Sequence, residues 1–288
     1  MAKGKELCNK LMSINDAMFT IRLLITLLSF WLIPIVYAAP KADYWAYWDK
    51  ATQSSSKIDH QLWQNFLDQY LVLDKEKNIY LLNYKAAAKQ GSLLLTDYIN
   101  QLKRIDPRQY NLNEQFAYWV NLYNALTVQL VLKHYPVTSI TKLGEGFFSF
   151  GPWDDPIVTI TNQSLTLNDI EHRILRPIWK DPRIHYVVNC ASIGCPDLQP
   201  KALTAKLIEP QLEAAAKRFI NQPKGVSWQR EELVLSKIYD WYNDDFGRSE
   251  AKIIAHLIRY AEKGLGTQLR QYQGDISYQY DWQLNEHH

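Results

Sequence analysis

The sequence predicts an α+β fold: a helix-rich single domain around a small, mainly antiparallel sheet. Three observations carry this. Residues 112–135, LNEQFAYWVNLYNALTVQLVLKHY, have helical length, no internal Gly or Pro, and apolar residues on every side. Two pairs of short β-branched runs flank polar turns: IVTI and SLTL (157–160, 164–167), then VSW and LVLS on either side of QREE. In ISYQYDWQLN, Ile276, Tyr278, Tyr280, Trp282 and Leu284 alternate strictly with polar residues, the period of a half-buried strand.

The elements follow in chain order. Residues 44–73 read as two helical stretches, the second carrying Ile58, Leu62, Phe66 and Leu67 at helical spacing. Asn83 caps a short helix through Gln90 that Gly91 closes. A further helix over 96–105 stops at Asp106-Pro107, and the central helix stops at Pro136. A loop with Gly144, Gly146 and Gly151 leads to the first hairpin. Asn168 and Glu171 fit a capping box that opens the helix LNDIEHRILR, which ends at Pro177. IHYVVN (184–189) reads as a strand, and the expected sheet includes 184–189 and 276–284. Helices over 202–220 and from Ser249 to Lys263, the latter stopped by Gly264, complete the set.

The N-terminus sets the compartment. Residues 21–39, IRLLITLLSFWLIPIVYAA, carry one charge, Arg22, and Lys3, Lys5 and Lys10 precede them. Val36 and Ala38 supply the small residues of a cleavage site, so residues 1–38 read as a secretory signal peptide and 39–288 as the mature domain. The expected location is periplasmic or secreted. An uncleaved membrane anchor is the competing reading, because the stretch nearly spans a bilayer. The segment carries the whole formal charge of +2, which leaves the mature chain neutral. A neutral chain without a basic block excludes nucleic acid as a partner, since that binding rests on phosphate neutralisation. Cys8 leaves with the signal, so Cys190 and Cys195 are the remaining thiols. Two cysteines make no disulfide scaffold. Stability must come from packing, which the 10 Trp, 18 Tyr and 9 Phe can supply.

Five segments, in this order, resemble the family known as domain of unknown function 547. They are FAYWVNLYNALT (116–127), LNDIEHRILR (167–176), DPRIHYVVNCASIGCP (181–196), KIYDWYNDDFG (237–247) and YDWQLN (280–285). The resemblance covers roughly residues 83–285 and implies a secreted bacterial member of a family that also has plant and animal members. It brings no established activity, so mechanism rests on the residues.

Cys190 ends the IHYVVN run and starts a loop of small residues, Ala191, Ser192 and Gly194. Four roles are open to it: a core thiol, a disulfide with Cys195, a reactive thiol, and a metal ligand. The small-residue loop suits an oxyanion hole if its backbone N–H groups are free. A thiol nucleophile needs a base, usually histidine. The candidates are His60, His134, His172, His185, His256, His287 and His288. Strand alternation points His185 and Cys190 to opposite faces, leaving His172 as the expected partner. Asn121 and Asn124 share one face of the buried helix, as loop-holding amides or as groups that orient the histidine or a substrate. Arg176 is placed to bind a carboxylate or to pair with Asp181 or Glu171. Asp244-Asp245-Phe246 reads as a helix cap, with the lining of a pocket as the alternative. Trp153, in a Gly-rich loop, is a lid or a packed anchor. Cys190, Cys195, His172 and His185 number enough for zinc, yet no HExxH or CxxC spacing occurs, and no phosphate loop, GxGxxG or GxSxG either. No metal or cofactor is expected.

Two function classes remain. One is a thiol-dependent hydrolase or acyl transferase with Cys190 as nucleophile and His172 as base, acting on a small molecule or peptide. The other is a non-enzymatic envelope protein that binds a ligand or partner in an aromatic-lined cleft, with a Cys190–Cys195 disulfide. A membrane enters only if the N-terminal segment is retained.

Overall fold

The central helix runs from Leu112 to His134, capped by the Asn111 side chain, which accepts from the Asn113 and Glu114 N–H groups. Every residue from Glu114 to Val128 is buried, so neighbours cover the helix on all sides. The helix Ser92–Lys103 and the π-helical turn Asp169–Leu175 pack against it. In this computed structural model the chain divides into two units, Met1–Ala39 and Pro40–His288. The described residues are 40–144 and 151–288. The expected signal segment and Gly146 lie outside them. No helix among the described residues is long and apolar enough to cross a membrane.

The fold is α+β, with three small sheets. Strand β1 (Leu71–Asp74) pairs antiparallel with β2 (Ile79–Leu82), and β3 (Val158–Ile160) with β4 (Gln163–Leu165). The third sheet has the order β5 (Val226–Gln229), β6 (Glu232–Ser236), β7 (Ile276–Gln279), with β6 and β7 parallel. Both expected hairpins are present; the C-terminal strand expected over 276–284 ends at Gln279, and beyond it Leu284 makes only an isolated bridge with Ser192.

Several boundaries depart from expectation. Residues 44–73 hold one helix, Gln61–Tyr70, followed by β1. The turn after β1 has neither Gly nor Pro. Asp74 makes it by accepting from the Glu76 and Lys77 N–H groups, and Asn78 adopts φ 51. Asn83 does cap a helix, but Gly91 does not close it. A π-helical turn, Ala87–Gly91, runs straight into Ser92–Lys103. Gly91 is there for space: a Cβ would lie 2.7 Å from the Tyr70 ring. Thr166 and Asp169, not Asn168 and Glu171, exchange the capping-box hydrogen bonds. Ser249 caps Glu250–Tyr260 as expected, whereas Gly264 lies inside a separate helix, Lys263–Gln271. The helix expected over 202–220 starts at Ile208.

The largest correction concerns 184–189, which is not a strand. Asp181 caps a 3₁₀ turn, Pro182–Tyr186, and the Ile184 carbonyl accepts from the Val187 and Val188 N–H groups. Proline after a capping aspartate starts a helical turn, and the apolar residues bury through it without pairing. The alternation argument against His185 therefore lapses.

Candidate functional site

Asn124 builds the approach to Cys190. Its Nδ2 donates to the Val187 carbonyl (2.8 Å) and its Oδ1 accepts from the Asn189 N–H (2.8 Å), so one amide holds the buried segment from both sides. Asn189 continues the work: Oδ1 accepts from the Ala191 N–H (2.8 Å) and Nδ2 donates to the Pro196 carbonyl (2.6 Å). Ala191 takes a left-handed φ of 59, a strained conformation for alanine that these bonds sustain. The chain then pairs with the C-terminal segment. Ile193 N–H donates to Gln283 O, Gly194 N–H to Asp281 O, and Asn285 N–H to Ala191 O. A Cβ at Gly194 would lie 2.7 Å from the Asp281 nitrogen, so only glycine allows this approach.

Three groups converge on Cys190 Sγ: Tyr280 Oη at 2.9 Å, Cys195 Sγ at 3.2 Å and Ser192 Oγ at 3.3 Å. Tyr280 Oη and Ser192 Oγ are themselves 2.9 Å apart. Both cysteines are free thiols; Cys190 is part-exposed and Cys195 buried. The Cys190 N–H donates to Cys195 Sγ (3.0 Å). The hydrogen bond with Cys195 lowers the Cys190 thiol below its ordinary range against the cost of burial, with Ser192 and Tyr280 adding to it. Burial and the neighbouring Cys190 push the Cys195 thiol well up. The pair is thus divided into a thiol lowered by its neighbours, on the part-exposed residue, and a buried thiol that is raised.

The expected oxyanion hole is mostly occupied. The backbone N–H groups of Cys190, Ala191, Ile193, Gly194 and Cys195 already donate within the protein. Ser192 N–H alone in this loop donates to no described residue.

His172 belongs to a neighbouring ionic cluster. It sits on the π-helical turn, where Arg176 N–H reaches back to Glu171 O and Pro177 lacks a donor, so the His172 and Arg173 carbonyls lose their helical partners. Asp43 and Trp45 N–H groups cap them instead (2.9 and 3.1 Å). Arg176 donates to Asp245 Oδ2 (2.6 Å), to the Pro40 carbonyl (2.7 Å) and to His172 Nδ1 (3.0 Å). An arginine can only donate, so His172 Nδ1 is an acceptor and its proton resides on Nε2. Burial, helped by Arg176 and His185, pushes His172 down to about 4 against the pull of Glu171 and Asp245. His185 lies between two carboxylates, with Nε2 2.7 Å from Asp245 and Nδ1 3.6 Å from Glu171, and its ring stacks on Tyr242 at 3.9 Å. Burial favours neutral carboxyls here, but the surrounding His172, His185 and Arg176 hold Glu171 down at about 2. Hydrogen bonds from His185 and Arg176 likewise overcome burial and hold Asp245 well below the usual carboxylate range.

The expected residues divide between these two groups. Cys190 and Cys195 are together; His172 and Arg176 are together. No hydrogen bond joins Cys190 to His172. Arg176 takes neither Asp181 nor Glu171 as its hydrogen-bonded carboxylate but Asp245, and Asp181 pairs with Arg183 (2.6 Å). Asn121 clamps Leu203 through N–H and carbonyl (3.0 and 2.9 Å), so both amides hold loops and neither touches a histidine. Trp153 packs on Trp282 (5.7 Å), which joins Trp241 and Tyr280 in a cluster of part-buried rings beside the thiols. Among the described residues no group of three or more His, Cys, Asp or Glu is arranged to hold a metal. Sequence reasoning missed Tyr280 and Ser192 as thiol partners and set His185 aside. Tyr280 was readable as an inward position of the alternating C-terminal segment, but nothing in that pattern says which residue it meets.

Residues 107–220 match the family model described as protein of unknown function, DUF547. The match takes in the central helix, the ionic cluster's helix and the cysteine loop. The segments at 237–247 and 280–285 lie beyond it. No curated protein and no solved structure matches the chain.

Proposed function

We propose that this chain, which the DUF547 family model matches over residues 107–220, is a thiol-dependent enzyme of the hydrolase or acyl-transferase type, with Cys190 as its nucleophile. One observation carries the reading: the sulfur of a part-exposed cysteine is held by Tyr280, Ser192 and Cys195, all able to donate to a thiolate. Acyl transfer begins when the Cys190 sulfur bonds to the substrate carbonyl carbon and the carbonyl oxygen gains charge. Ser192 N–H and the Ser192 and Tyr280 hydroxyls are the donors at hand for that charge. The carbonyl then re-forms, the bond to the leaving group breaks, that group leaves with a proton from solvent, and water or an acceptor releases the acyl group from the thioester. His172 is not used as the base in this proposal, because Arg176 occupies Nδ1 and leaves Nε2 protonated. The hydrogen bonds of Cys195, Ser192 and Tyr280 favour the Cys190 thiolate in its place. Trp153, Trp241 and Trp282 form the wall against which a small acyl substrate or peptide side chain lies.

The test is a burst assay with an activated ester such as p-nitrophenyl acetate, followed by peptide mapping. Acylation at Cys190, lost in Cys190→Ser with folding retained, supports the proposal; a protein that forms no acyl-cysteine sinks it. The aromatic cluster also favours a second reading, a non-enzymatic binding protein whose thiols are closed in a disulfide; absence of free thiols in denaturant supports that one. For either reading the proposed location is the periplasm or beyond, resting on the N-terminal segment alone. Intact mass of protein from the envelope fraction tests it, and retention of residues 21–38 would point to an anchor.

A further inference from the structure

We infer that Cys190 and Cys195 form a redox couple that exchanges with small-molecule disulfides, and that its oxidised form switches the Cys190 nucleophile off. The inference rests on the reading of Cys190 as a nucleophile. The two sulfurs stand 3.2 Å apart, so a disulfide bond of about 2 Å requires them to approach by roughly 1.2 Å. The loop between them already brings Cys190 N–H onto Cys195 Sγ at 3.0 Å. Its shape is fixed from outside by the C-terminal segment, through Ile193 and Gly194. A Lys224 ammonium holds the Cys195 carbonyl (2.6 Å) and is itself anchored on Asp197 (2.6 Å). The loop ends are thus pinned close together before any bond forms.

The two thiols differ as attacking and resolving sulfurs differ. Cys190 is part-exposed and surrounded by donors; Cys195 is 4% exposed. Exchange starts when the Cys190 thiolate attacks one sulfur of a disulfide RSSR. The Cys190–S bond forms, the S–S bond of RSSR breaks, and RS⁻ leaves. Cys195 then gives its proton to that leaving thiolate, and its sulfur attacks the Cys190 sulfur. The internal disulfide forms and the second RS⁻ departs, taking a proton from solvent. Two protein thiols are oxidised and one RSSR is reduced to two RSH. A thiol such as glutathione reverses the sequence. In the oxidised form Tyr280 and Ser192 face a disulfide sulfur that has no charge and no nucleophilic lone pair for acyl transfer.

The test equilibrates the full chain in glutathione buffers from fully reduced to fully oxidised, acid-quenches it, alkylates free thiols and maps peptides by mass, with Cys8 followed separately. The wild type should accumulate the Cys190–Cys195 disulfide. Cys195→Ser, and Cys195→Ala as a second variant, should stop at a glutathione mixed disulfide on Cys190, at least tenfold above the wild-type level. Acyl-cysteine formation should fall in proportion to the oxidised fraction. A wild type that accumulates the mixed disulfide without resolving it overturns the couple and leaves the nucleophile proposal standing. A Cys190 that takes up neither glutathione nor acyl group overturns both.

Discussion

Asn124→Ala should remove the clamp that delivers Cys190 to its site. The side chain makes two hydrogen bonds, one to the Val187 carbonyl and one from the Asn189 N–H, both buried. Each backbone group left without a partner costs about 1–3 kcal/mol, so the loss is about 2–6 kcal/mol. For a domain of this size that is a fall in melting temperature of roughly 10 °C. Asn121→Ala is the matched control. It breaks the same two kinds of bond, to Leu203, eight residues beyond Cys195 and outside the segment 187–189. Urea unfolding should therefore give similar losses for the two variants with unchanged slopes. Cys190 alkylation under native conditions should change only for Asn124→Ala, because only that amide fixes residues 187–189. Losses below about 1 kcal/mol, or equal changes in Cys190 reactivity, would refute the clamp argument.

Other outcomes follow from the same geometry. His172→Gln should lower stability yet alter the Cys190 alkylation rate less than about threefold; a hundredfold drop would restore His172 as base. Deleting residues 276–288 should destabilise the fold by about 5 kcal/mol, since part-buried Tyr278, Tyr280 and Trp282 and buried Leu284 lose their packing. An unchanged melting curve would show that segment to be dispensable. His60, His172 and His256 are each lowered to about 4, chiefly by burial. The unfolded chain binds protons at about 6.5 that the folded chain refuses, so stability is full above that pH and is lost as pH falls from about 6.5 to 4. Each group contributes roughly 3 kcal/mol at most. A flat urea-stability profile between pH 7 and 5 would contradict neutral buried histidines.

The parts of this fold that were legible in sequence are those with strong local rules. The central helix had length, burial and a proline stop. The C-terminal strand had strict alternation, and the hairpins had β-branched runs around polar turns. The failures share a cause. IHYVVN looks like a strand by composition, and Asp181-Pro182 overrides that with a 3₁₀ turn. Gly91 looks like a helix stop, and the Tyr70 ring makes it a packing glycine instead. The site itself was half legible. Cys190 stands out because small residues follow it, and Asn121 and Asn124 because amides are costly in a buried helix. Their partners were not legible. Tyr280 meets Cys190 across 90 positions, and Asp245 joins Arg176 across 69, distances at which no local pattern specifies contact.

The central claim is that Cys190 is a thiolate held by Tyr280, Ser192 and Cys195. The most direct measurement is the pH dependence of Cys190 alkylation by iodoacetamide, read residue by residue by mass spectrometry in the wild type and in Tyr280→Phe. The ordinary thiol midpoint is about 8.5. The wild-type midpoint should lie below it, and removal of the 2.9 Å phenol donor should raise it by about one unit, since hydrogen bonds to charged groups contribute about 1.5–3 kcal/mol. A Cys190 midpoint at or above the ordinary value, unmoved by Tyr280→Phe, would contradict the claim.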